Sequence, residues 1–249
     1  MLVGESTYLV GLREYMGIGA ANGAEAALAT GDWEWAQAAL DDVYDEALPG
    51  VDRIAMLCQV AAILSLKGNQ VGAREKLSEM KDMIESMSSP EEQASVSWAV
   101  SIAALAEGRL DDAHKAAVDS TEWDPIDPLA AAAVAARAAL WSGELAIATG
   151  LLNRPGLQPG YPMRRSHRLT IEAGIAALQG HLDDARSLYR QAFDGWRALG
   201  AVFSLALAQL DLVLLAGPDD PRRRPRPGRR GPPSSASGRP RSWSGSSPL

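Results

Sequence analysis

Residues 173–192, AGIAALQGHLDDARSLYRQA, decide how this chain is read. An apolar-periodic stretch runs into Gly180; an alanine, Ala185, follows five residues later, and a small residue, Ala173, precedes it by seven. Glycine accepts the left-handed backbone that ends a helix, and a second helix can then turn back across the first where small side chains let the two axes approach. The segment therefore predicts a helical hairpin. The same triplet occurs upstream at Gly31 with Ala24 and Ala36, Gly68 with Ala61 and Ala73, Gly108 with Ser101 and Ala113, and Gly143 with Ala136 and Ala148. The marker glycines are 37, 40, 35 and 37 residues apart, a period that reads as a repeat architecture.

Outward from the markers, the segments have helical periodicity. First helices are predicted over 12–30, 52–67, 91–107, 128–142 and 164–179, and second helices open at Asp32, Gln70, Leu110, Glu144 and Leu182. Paired acids, Asp41-Asp42, Asp111-Asp112 and Asp183-Asp184, are read as helix openings, where negative charge complements the helix dipole. Ser88-Ser89 before Pro90, Glu91 and Glu92 is a helix-start signal of the same kind. Residues 153–162, NRPGLQPGYP, form the one long irregular link, and a further helix is expected over 201–215 without a partner.

Composition agrees with helices. Hydrophobic residues make up 47% and charged residues 22% of the 249, which excludes wholesale disorder, and only 6% aromatic residues argue against an all-β chain. The net charge of −7 hides a split: residues 221–249 hold eight arginines and no acid, leaving 16 Lys+Arg against 31 Asp+Glu before them, a net −15. A single cysteine, Cys58, excludes a disulfide framework and fits a reducing compartment. The start MLVGESTYLV lacks a basic leader region and the longest apolar run, 129–136, is far short of a membrane span, so a cytoplasmic address is expected.

Small residue, glycine seven on, alanine five on, in units slightly longer than 34 residues, resembles a tetratricopeptide repeat (TPR) array. Gly180 is the best unit, adding Leu182, Tyr189 and Ala192 where the family pattern is apolar or small; Gly143 is the weakest, with Pro155 where a second helix would still run. The long units and residues 189–217 resemble the degenerate repeats of large bacterial LuxR-type and ATPase signalling regulators. The resemblance implies an all-α, right-handed superhelical solenoid of about five helix-turn-helix hairpins plus one unpaired helix. Units are expected near 10–49, 51–88, 90–123, 127–154 and 163–200, with a partial one at 201–217, in a domain over 1–217. No G-x-x-x-x-G-K-[ST] phosphate loop occurs, so neither ATP hydrolysis nor sequence-specific DNA reading is expected.

After Asp220 the composition turns to Pro, Gly, Ser and Arg, and residues 218–249 are expected to be a disordered tail. A shifted reading frame is a second account of it. Residues 242–247, SWSGSS, written in GC-rich codons and read from the third base, can spell Leu-Glu-Arg-Leu-Glu, helix-forming sequence where the last repeat would continue.

Catalytic signals are sparse. His114, His167 and His181 occur singly with no metal-ligand spacing, and His114 and His181 are expected at the surface near second-helix starts. No enzyme activity, metal or cofactor is expected. Cys58 reads as a small apolar helix residue, and Trp33, Trp35, Trp141 and Trp196 read as core. By the resemblance, positions thirteen, ten and six before each glycine line a concave binding groove, which selects Glu25, Ser95, Trp98, Arg137, His167 and Thr170. Tryptophan and arginine are the types enriched at binding hot spots, whereas a Trp98 packed between helices and an Arg137 paired with an acid are the competing structural readings. The expected function is a noncatalytic interaction module that binds a peptide or partner domain. It would belong to a bacterial regulator, with no membrane partner and with self-association through the exposed last helix. A small-ligand sensor controlling assembly and an α-helical toroid enzyme are the alternatives.

Overall fold

The computed structural model describes residues 3–44, 51–84, 89–123, 129–154, 157–158 and 160–217; the tail expected over 218–249 lies outside the described residues. Among the described residues the chain is all-helical, with no strand. The helices are α1 (Val3–Thr30), α2 (Trp33–Tyr44), α3 (Val51–Leu66), α4 (Gln70–Ile84), α5 (Pro90–Ala106), α6 (Leu110–Trp123), α7 (Leu129–Ser142), α8 (Leu145–Leu151), α9 (Pro162–Leu178), α10 (Leu182–Ala198) and α11 (Val202–Ala216).

The turns form for the reason the glycines suggest. At Gly180 φ is 83°, and two carbonyls left over at the end of α9 are satisfied within the turn. The Gly180 N–H donates to the Ala177 carbonyl at 3.0 Å and the His181 N–H to the Ala176 carbonyl at 2.9 Å. The other four markers also have positive φ, and so does Gly200, which ends α10 in the same way and was not part of the glycine pattern. All ten small residues of the triplets are at most 1% exposed, because the helices they separate lie against one another there. Close contact of this kind leaves no room for a larger side chain.

Each first helix also packs on the next in chain order: α1 on α3, α3 on α5, α5 on α7, α7 on α9 and α9 on α11. The row bends until its ends meet, since α11 also touches α7 and α1. At that seam the Trp33 and Phe203 rings meet edge-on, 4.9 Å between centroids. Helix α7, an alanine-rich segment, is buried on nearly every face. A Cβ built on Gly174 of α9 would stand 2.6 Å from Leu140 of α7 and 3.2 Å from Leu215 of α11, so this glycine lets three helices converge. At the other end, the Tyr44 hydroxyl of α2 donates to Glu79 of α4 while the Arg53 guanidinium of α3 covers the Tyr44 ring at 4.3 Å.

Several expectations change. Helix α1 starts at Val3, not near residue 12, because nothing in the first dozen residues, proline least of all, interrupts it. Asp41 and Asp42 fall in the last turn of α2 rather than at a helix opening. Trp35 is 57% exposed and is not core, as it faces away from the buried Ala36 and Leu40 of its own helix. His114 is half-buried, its Nδ1 lying 3.2 Å from the Ala135 carbonyl of α7. Helix α8 is the short one, and the link after it is held down by the buried Leu157. Arg168 donates to the Leu152 and Leu157 carbonyls at 3.0 and 3.2 Å.

Candidate functional site

Helices α7 and α11 carry one charged residue each, Arg137 and Asp211, in otherwise almost wholly apolar sequences. A lone charge on a buried helix needs an opposite partner, since burial unpaired costs several kcal/mol. The two meet across the first-helix row. Arg137 Nε lies 3.1 Å from both Asp211 oxygens and Nη2 lies 3.0 Å from Oδ2. One helical turn beyond Arg137, the Trp141 indole N–H donates to Asp211 Oδ1 at 2.8 Å. Both charged side chains are buried, and the carboxylate accepts from two residues of the same helix face.

His167 and Thr170 of α9 stand beside this pair. The Trp196 indole donates to Thr170 Oγ1 at 3.3 Å, and the Thr170 hydroxyl donates back to the Ser166 carbonyl at 2.9 Å. The His167 ring meets the Trp196 ring edge-on at 4.7 Å. Burial, and then the charge of Arg137, pull the His167 pKa down to about 3, so the imidazole is neutral at physiological pH. Tyr189 of α10 completes the cluster. It is fully buried, its hydroxyl has no hydrogen-bond partner, and burial together with the Asp211 charge pushes its pKa well up.

Of the six residues expected to line a groove, the structure thus brings Arg137, His167 and Thr170 into one cluster and commits all three to contacts within the protein. Glu25, Ser95 and Trp98 are elsewhere. Glu25 of α1 is exposed. Ser95 of α5 is half-buried and bonds back to the Glu91 carbonyl at 3.0 Å. Trp98 is half-buried and packs against the cores formed by α1, α2 and α3 and by α3, α4 and α5. Sequence reasoning missed Asp211 and Tyr189. The signal for Asp211 was present, a solitary acid within VFSLALAQLDLVLLA, but the series of marker glycines stopped at Gly180 and left α11 outside the register.

A groove of about 560 Å³ opens on another face, between the start of α9 and the end of α10, lined by Pro162, Arg165, Leu169, Asp194, Ala198 and Leu199 among others. Gly195 and Ser166 set its depth: a Cβ on Gly195 would come within 2.4 Å of the Ser166 hydroxyl. Cys58 is buried, and burial raises its thiol pKa far above the usual range, which suppresses the reactive thiolate. Among the described residues no three His, Cys, Asp or Glu side chains converge as a metal site, and no helix is long and apolar enough to cross a membrane. No protein-family model matches the sequence, and no curated protein matches it.

Proposed function

We propose that this chain is a noncatalytic interaction module of the TPR type, a right-handed superhelical array of about five hairpins. Its partner would be a peptide or a helix taken along the amino-terminal half of the first-helix row. The observation that carries this reading is the division among the six groove residues. Arg137, His167 and Thr170 are consumed by internal contacts, while Trp98 is only half-buried and keeps part of its ring at the surface. A partly open tryptophan suits an apolar or aromatic anchor on the partner, and the −15 body charge favours a basic or neutral segment. By its resemblance the module would serve a cytoplasmic bacterial signalling or transcription regulator.

Selection from a random peptide display library on the immobilised chain tests this. Basic, aromatic-containing peptides enriched by the wild type and lost with Trp98→Ala, while helix content by circular dichroism is retained, support the proposal. No enrichment, or enrichment indifferent to Trp98→Ala, overturns it. The second reading, a small-ligand sensor, is favoured by the groove between α9 and α10, where Arg165 and Asp194 flank an apolar floor. Calorimetry against pooled metabolites, with Leu169→Trp to fill the groove, separates the two.

A further inference from the structure

The spacing of the last two marker glycines, 37 residues, carried on from Gly180 reaches Gly217, at the end of α11. Helix α11 is therefore in the register of a first helix. Leu210, seven residues before Gly217, holds the position at which Ala24, Ala61, Ser101, Ala136 and Ala173 are sealed under a second helix. Leu210 is instead 42% exposed, with Val202 at 63%, Val213 at 66% and Leu214 at 42%. Ala206 and Gln209 are exposed between them, and the spacing of the six puts them on one helical face. Gly217 is extended, with φ −65° and ψ 161°, so the left-handed turn that folds a second helix back is missing here. A leucine at the sealing position would also hold a hairpin partner too far away for the usual close contact.

The chemistry of the face selects what covers it. The outward faces of α2, α4, α6 and α10 carry charges, among them Glu34, Glu75, Lys115 and Asp183, whereas the one charge on α11, Asp211, points inward to Arg137. Two copies of a body with net charge −15 repel wherever charged faces meet. The outer face of α11 offers them a meeting place free of charge. A basic partner finds no carboxylate there, and residues 218–249, whose large apolar residues are Trp243 and Leu249 alone, hold no matching stripe. An identical stripe brought round a two-fold axis is self-complementary, as isologous contacts must be. We propose that the outer face of α11 pairs two copies of this chain, α11 against α11. This contact is separate from the partner groove and stands or falls independently of it.

Sedimentation velocity on the full chain over a concentration series is the test. The wild type is expected to shift from monomer to dimer as concentration rises. Leu210→Asp with Val213→Asp is expected to stay monomeric with unchanged thermal melting, because both side chains already face water. Cross-linking gives a second readout. Cys58 is the single native cysteine and is buried, so Gln209→Cys supplies one accessible thiol near the middle of the stripe. A short bis-maleimide should join two Gln209→Cys chains and leave Glu75→Cys chains, substituted on α4, unjoined. A wild type that is monomeric at every concentration overturns the proposal, as does a dimer that survives the aspartate pair or cross-links equally through residue 75. So does a monomer whose stripe takes up an added amphipathic helical peptide instead, which would assign the face to a different occupant.

Discussion

Removing the Arg137 side chain would leave the Asp211 carboxylate buried with the Trp141 indole and no countercharge. Breaking a buried pair from one side costs about 3–5 kcal/mol, whereas replacing both partners with apolar groups of similar volume is often neutral. Arg137→Ala is therefore expected to lower the unfolding free energy by about that much, and Arg137→Met with Asp211→Leu to restore most of it, as denaturant unfolding of the three proteins would show. His167 gives a pH-dependent counterpart. Its folded pKa lies at about 3 against an ordinary 6.5, so below 6.5 the unfolded chain takes up a proton that the folded protein refuses. The stabilisation is complete above the unfolded value and is lost as pH falls towards the folded one. Melting temperatures at pH 7 and about pH 5 should accordingly diverge more for the wild type than for His167→Gln. Tyr189 could be placed as an apolar pattern position and Asp211 stood out as a solitary acid, but their meeting with Arg137 was not legible beforehand. Arg137 could be placed by counting from Gly143, but its acid is 74 residues away, and no local pattern specifies which distant carboxylate a buried guanidinium will find.

Helices and turns were far easier to read. Short-range rules fix them: a glycine that must turn left-handed, a helix on each side, and small residues where two axes meet. That is why the first helices α3 and α9 and the openings of α4 and α10 follow the expected bounds within a residue or two. Where the register lacked a local constraint, as at the start of α1 or the acids of α2, the expectation slipped. The same rules give direct tests. Ala113 is fully buried between α5 and its neighbours, so Ala113→Trp is expected to destabilise by at least the upper end of the about 1–3 kcal/mol typical of overpacking. Gly180→Ala, forced to keep a φ of 83°, should cost about 1–2 kcal/mol with helix content unchanged by circular dichroism. A Gly150→Ala substitution within α8, where nothing lies near the added methyl, serves as the stabilising control.

At the scale of the whole molecule, the return of α11 to α1 was the feature no stretch of sequence announced. Periodicity describes how each hairpin meets the next, while the curvature accumulated over many such contacts depends on small angles that residue patterns do not encode. The contact between Trp33 and Phe203 reads out that closure. Phe203→Ala is expected to lower stability by about 1 kcal/mol through the lost ring pair. It should also split thermal unfolding into separable steps when tryptophan fluorescence and far-ultraviolet circular dichroism are followed together. An open stack of helices behaves mechanically as a coil spring, its softest motion being a change of pitch. Joining first turn to last removes that motion. Any loosening of the stack must then part α11 from α1, and the Trp33 and Phe203 rings with them, before successive hairpins can tilt apart.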